Sequence, residues 1–181
     1  MRTAIGLCFL LFLFCTCKKE VDNSFSISKD RIGLLTKTTS IAQLDSIFAN
    51  DSIVRSGALM KEQTASEKIE IFEKGGAHLL SISPTNDSVP MIENIRIYDP
   101  RYSTVEGVTV ISTFKDIKDK LLVKKVITSM NNVVILLKDS DLYFTISKDE
   151  LPAELRFNNS DIDMVQIPDK AKIKYMMIGW N

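Results

Sequence analysis

Cysteine is scarce in this sequence, and where it falls matters more than how little there is. All three copies, Cys8, Cys15 and Cys17, lie in the first seventeen of 181 residues. The chain beyond Cys17 therefore has no intramolecular disulfide and no Cys–His nucleophile pair of its own. Histidine is as rare, with His78 the single copy. Zinc sites built from His and Cys are excluded by count. A Ser-His-Asp triad would have to pass through His78, and no Gly-x-Ser-x-Gly elbow accompanies it. The seven glycines are scattered, with Gly75-Gly76 reading as a hairpin turn, so no phosphate-cradling loop is present. Charge of one sign is lacking too. The 23 basic and 23 acidic residues cancel, which leaves no electrostatic footprint for nucleic acid.

Composition is otherwise that of a folded domain, with 45% apolar and 25% charged residues. The length suits one domain or two small halves sharing a core. No cofactor and no metal is implied by any motif.

The N-terminus carries the most specific pattern. Arg2 is the only charged side chain before Cys17, and Ile5–Phe14 is almost purely apolar. That run fits the roughly 7–15 residues of a signal-peptide core and falls short of the ~20 needed to span a bilayer. The chain turns polar at once after Cys17, through Lys18, Lys19, Glu20 and Asp22. A cysteine ending an apolar run and followed by a polar tether resembles the lipobox of bacterial lipoproteins. The resemblance implies cleavage before Cys17 and diacylglycerol on its thiol. Phe14 and Thr16 depart from the Leu and small residue usual at those two positions. Segments 1–16 and 17–28 are thus read as leader and lipidated tether, with the domain over 29–181. Two or three acyl chains would hold it almost permanently, at roughly 0.8 kcal/mol per buried CH₂.

The domain reads as two similar halves, 29–99 and 100–181. Arg31–Leu35 predicts a strand, and Ser40 with Gln43 a capping box before Ile41, Leu44 and Phe48 at helical spacing. In the second half Gly107–Ile111 predicts a strand, and Thr113 with Asp116 a cap before Phe114, Ile117 and Leu121. Residues 68–83 (KIEIFEKGGAHLLSIS) and 132–147 (NVVILLKDSDLYFTIS) then align without a gap, each as two strands around a turn. Each half closes on a further strand, at Met91–Tyr98 and Ala171–Ile178. The expectation is an α+β fold, mainly antiparallel sheet with two short helices, from a β-α-β-β-β unit used twice. The competing reading is one irregular α+β sheet whose halves are alike by chance.

Few residues invite a functional assignment. Asn159, Asp161 and Asp163 have the spacing of calcium ligands, yet Met164 follows where Gly is needed and Lys170 stands where the closing Glu belongs. Asp139 and Asp141 read as turn residues. The loop from Tyr98 to Gly107 sets Arg101 and Tyr102 beside Pro100, groups that suit a ligand-binding surface and equally a loop that packs its own tyrosines. Ser52 and Ser88, within Asp-Ser-apolar triplets, resemble O-glycosylation sites of exported Bacteroidetes proteins. The Cys-Lys-Lys-Glu junction and the stretch YSTVEGVTVISTFKDIK resemble small lipoproteins of flavobacteria, which implies an outer-membrane address, periplasmic or surface-facing. The function expected is a non-catalytic binding or accessory module held to the membrane by lipid, with an envelope protein or small ligand as partner. Two alternatives stand beside it: an enzyme with a carboxylate or Ser/Lys site, and a structural protein of envelope assembly.

Overall fold

A computed structural model describes residues 23–56, 67–157 and 160–180 of the chain. Among the described residues there are twelve strands: β1 (Ser26–Ser28), β2 (Arg31–Ile32), β3 (Leu35–Thr36), β4 (Ser52–Ser56), β5 (Lys68–Phe72), β6 (His78–Pro84), β7 (Ile92–Ile97), β8 (Ser103–Thr104), β9 (Val123–Thr128), β10 (Asn132–Leu137), β11 (Leu142–Ser147) and β12 (Ile173–Gly179). Three short helices join them: α1 (Leu44–Ile47), led in by a 3₁₀ turn at Ile41–Gln43, then α2 (Phe114–Lys120) and α3 (Ala153–Arg156). The fold is α+β and almost wholly antiparallel, as the strand-rich pattern with few helical stretches predicts.

Eight strands form one sheet in the order β4-β5-β6-β7-β12-β11-β10-β9. Each half supplies four consecutive strands, and the last strand of one half pairs with the last strand of the other. The 64-residue offset seen in the sequence reappears as register. Ile69 pairs Ile82 as Val133 pairs Ile146, Glu70 pairs Ser81 as Val134 pairs Thr145, and Ile71 pairs Leu80 as Ile135 pairs Phe144. The turns correspond as well, because Gly75 and its counterpart Asp139 both take positive φ, 120° and 54°. Both capping boxes form, Ser40 with Gln43 and Thr113 with Asp116. Each cap also bridges the approach to the half's final strand, Ser40 to Met91 and Thr113 to Lys172.

The halves meet at Ile97 and Met176. Ile97 pairs Leu80, and Met176 pairs Phe144, the counterpart of Leu80. The two are therefore equivalent positions, and they pair with each other across the central β7–β12 seam. A pseudo-twofold axis runs through that pair.

Period-2 alternation gives the sheet one dry face. Across all eight strands one row reads Ile53, Ile71, Leu80, Ile97, Met176, Phe144, Ile135, Val126. It joins a single core with Leu44 and Phe48 of the first helical segment, Phe114 and Ile117 of α2, and Ile27, Ile32 and Leu35 of the small sheet β3-β2-β1-β8. Helices and small sheet thus cover one face, and the opposite face is left uncovered by any of these elements.

Three expectations are corrected. The unit is helix followed by four strands, since β4 and β9 follow the helices and the strand expected before each helix is reduced. Arg31–Leu35 folds as a two-step hairpin with Gly33 at φ 54° between its strands. Gly107–Ile111 forms no strand, with Val108 buried in the core and Val110 packed against it partly buried. Lastly, residues 24–28, read as tether, belong to the domain: Ile27 is buried, pairs Ile32, and lies parallel to Thr104.

Candidate functional site

The uncovered face of the eight-stranded sheet carries the concentration of chemistry. Next to the apolar row runs a second one, Val54, Glu70, Ser81, Arg96, Met177, Tyr143, Leu136, Lys125, pointing to the other side of the pleat. At the first half's end these residues join a stack. The rings of Phe72 and His78 lie 4.5 Å apart at 22°, and those of His78 and Tyr98 lie 3.8 Å apart at 20°. Arg96 follows, with its Cζ 4.8 Å from the Tyr98 centroid and 3.6 Å from that of Tyr175. Lys174 Nζ lies 5.2 Å from the Tyr175 ring.

Glu70 ties this end together. Its Oε2 is 2.9 Å from His78 Nε2, and its Oε1 accepts from Ser81 Oγ at 3.0 Å. The order of the three groups decides what they can do. In a nucleophilic triad the histidine sits between hydroxyl and carboxylate, taking the proton from one and being oriented by the other. Here the carboxylate sits in the middle and accepts from the serine. Ser81 Oγ donates to Glu70, and His78 bonds the same carboxylate, so the order is not that of a Ser-His-Asp triad and the three groups form a hydrogen-bonded cluster on the sheet face. Burial pushes the Tyr98 phenol above its ordinary value, against a smaller lowering by Arg96. Tyr143, whose hydroxyl is 3.4 Å from Asn94 Oδ1, is likewise raised by burial.

The two halves differ on this face while matching on the other. Glu70, Phe72 and Ser81 correspond through the 64-residue offset to Val134, Leu136 and Thr145. At these three positions the shared scaffold thus presents Glu, Phe and Ser in the first half and Val, Leu and Thr in the second. Neither surface was legible from spacing alone, because the contributing residues are brought together only by cross-strand register.

Arg101 and Tyr102 are placed elsewhere and are occupied. Arg101 donates from Nη1 and Nη2 to the Glu73 carboxylate at 2.9 and 2.8 Å, and from Nε and Nη2 to Asp99 at 3.0 and 2.8 Å. Its Cζ lies 4.2 Å from the Phe25 ring, and Tyr102 meets the same ring edge-on at 5.0 Å. Tyr102 is buried, which holds its phenol well above the ordinary value. These groups clamp the β5–β6 turn and the N-terminal segment to the loop after β7, so their donors and ring faces are spent on the fold rather than open to a ligand.

The clamp predicts an acid-sensitive contribution to stability. The Arg101 guanidinium holds the carboxyls of Asp99 and Glu73 below their usual values. Carboxyls depressed in the folded state stabilise it fully above the unfolded value, near pH 4, and lose that effect as pH falls through the folded values. Arg101→Gln should therefore melt below the wild type at pH 7, with the gap closing between about pH 4 and pH 2. Asp99 carries more of the effect than Glu73, whose side chain is 39% exposed and screened. Melting curves that stay parallel across that range would rule out the linkage.

Ser52 is exposed within β4, and Ser88 is exposed in the loop between β6 and β7. Asp139 and Asp141 occupy the β10–β11 turn, where Asp141 accepts from Lys37 at 2.9 Å. Asp163 caps the turn Met164–Gln166, and Asn159 lies outside the described residues, as does Cys17. A separate cleft of about 320 Å³ is lined by Ile27, Leu121, Leu137 and Leu142 with Lys29, Lys120 and Lys138 around it.

No family model matches the sequence, and no curated protein matches it. Among solved structures the chain is similar to the crystal structure of an uncharacterised Escherichia coli protein, YfeY. The TM-score is 0.51 at 16% identity, covering 85% of this chain and 99% of that one. At that identity the likeness shows the fold alone.

Proposed function

We propose that this chain is an envelope lipoprotein, anchored to the outer membrane through Cys17, and that its domain is a non-catalytic binding or accessory module. The anchor reading is supported by the apolar run Ile5–Phe14, the polar residues after Cys17, and the lack of any later cysteine. Among the described residues no helix is long and apolar enough to cross a membrane. The observation that carries the binding reading is the uncovered face, where Glu70 stands between Ser81 and His78, an order different from that of a Ser-His-Asp triad. Aromatic and cationic groups around it form a patterned surface, which supports that reading. Its ligand would be met close to the membrane, because few residues separate Cys17 from the buried Ile27.

Growing cells on an alkynyl fatty acid should label the wild-type protein and carry it into the membrane fraction. Cys17→Ala should be unlabelled and lose that attachment entirely, since no other thiol follows. Label that persists in Cys17→Ala would contradict the anchor. Separately, a purified domain that turned over a substrate, with loss on changing Glu70 or His78, would overturn the non-catalytic reading.

A further inference from the structure

We propose that Arg96 is the centre of a carboxylate-binding site on the uncovered sheet face, taking a monoanionic ligand with an apolar body. The inference rests on reading that face as the binding surface and does not depend on the lipid anchor.

Comparison with the other arginines isolates Arg96. Five arginines lie among the described residues, and four are hydrogen-bonded within the fold. Arg31 donates to Asn23 O, Gly33 O and Ser26 Oγ, Arg55 to Asp45, Arg101 to Asp99 and Glu73, and Arg156 to Leu151 O. The Arg96 side chain makes no hydrogen bond or ion pair with any described residue, although the residue is only partly exposed. Its contacts are the rings of Tyr98 and Tyr175. A guanidinium carries five N–H donors in its own plane, so contact with ring faces leaves them unused. The result is a cation fixed in place by aromatic walls with its donor fork unspent. A planar carboxylate matches that fork with two parallel, charge-assisted hydrogen bonds.

The neighbours select the rest of the ligand. Glu70 lies two strands away in the same row, roughly 10 Å at about 4.8 Å per strand, and it is committed to His78 and Ser81. That fixed negative charge disfavours a dianion at Arg96 and tolerates a single charge. On the other side of Arg96 the row continues through Met177, Tyr143 and Leu136, all partly exposed. Three strands give an apolar strip on the order of 14 Å long, which suits an alkyl or aromatic body attached to the carboxylate. The pseudo-twofold counterpart of Arg96 is Tyr175, so the scaffold builds one such site and not two.

The chain from Lys18 to Asn181 suits the test, because every residue of the core lies between Ile27 and Trp180. Hexanoate would be titrated into it while the arginine Nε–Hε signals are followed by NMR. Hexanamide, hexylammonium and hexyl phosphate would serve as neutral, cationic and dianionic comparisons. We expect a saturable shift centred on Arg96 with hexanoate, and binding at least about tenfold weaker for hexanamide and hexylammonium. Arg96→Gln should weaken hexanoate binding by at least about tenfold, Arg96→Lys should fall between, and Arg55→Gln should leave it unchanged. Equal binding in Arg96→Gln, equal binding of hexanamide, or tighter binding of hexyl phosphate would each overturn the assignment. So would the absence of any saturable shift. A hexanoate shift on other arginines would sink this site while leaving the module as a binding protein, and turnover of a probe would sink the binding reading itself.

Discussion

Phe144→Ala is expected to destabilise the domain by about 3–5 kcal/mol, the range for truncating a fully buried phenylalanine. Phe144 has no exposed surface and lies in the apolar row between Ile135 and Met176, one strand from the pseudo-twofold seam. Its ring cannot be replaced by movement of the neighbours, since both are themselves buried and held in register on either side. For a domain of this size such a loss lowers the melting temperature by on the order of 10 °C. The same position in the first half, Leu80, is equally buried and should lose about 2–5 kcal/mol as Leu80→Ala. Urea denaturation of both variants checks this. A cost below about 1 kcal/mol at either site would mean that the two halves do not share one close-packed core.

Gly33→Ala should be the most damaging single methyl addition to the N-terminal hairpin. Gly33 takes φ 54°, a conformation that carries a steric penalty for any residue with a Cβ. A Cβ there would also lie 2.4 Å from the Ser24 carbonyl oxygen and 3.0 Å from Tyr102 Cε1. The first contact is with backbone and can be relieved only by moving the turn that leads into strand β1. Gly33 N–H meanwhile donates to Ser26 O at 2.8 Å, so moving that strand strains a hydrogen bond as well. Left-handed strain and overpacking together suggest a cost of about 2–4 kcal/mol. Hydrogen exchange should show the loss concentrated in β1, β2 and the Phe25–Tyr102 contact. A variant of wild-type stability would contradict the clash.

Both effects depend on features that the sequence reveals unevenly. The capping boxes at Ser40 and Thr113 were legible, because a hydroxyl three residues ahead of an acid or amide is a local signal. The hairpins of 68–83 and 132–147 were legible as strand, turn and strand, because alternation, turn residues and an exact offset coincide. Strands β4 and β9 were not. Each is a sheet edge with one neighbour, so Ser52–Ser56 and Val123–Thr128 need only a few inward side chains and can carry Arg55, Lys124 and Lys125. Conversely, Val108-Thr-Val-Ile111 has strand-forming residues but no partner strand, and tertiary context overrides propensity. The site shows the same division. Arg101 and Tyr102 stood out as a cluster in sequence and are spent on holding loops together. Tyr98 is marked in the sequence only as the start of that same loop, and nothing local joins it to Arg96 or Tyr175, because Tyr175 comes from β12 and no local pattern announces which strand lies beside β7.

The seam between β7 and β12 has a kinetic side. The strand that completes the centre of the sheet is translated about 75 residues after its partner, so β7 keeps a bare hydrogen-bonding edge until the residues from Ile173 onward have been made. Pairings so distant in sequence form late and slowly. For the envelope lipoprotein proposed above, that delay would leave the chain a thread that can still be moved through a narrow pore while its N-terminus is engaged.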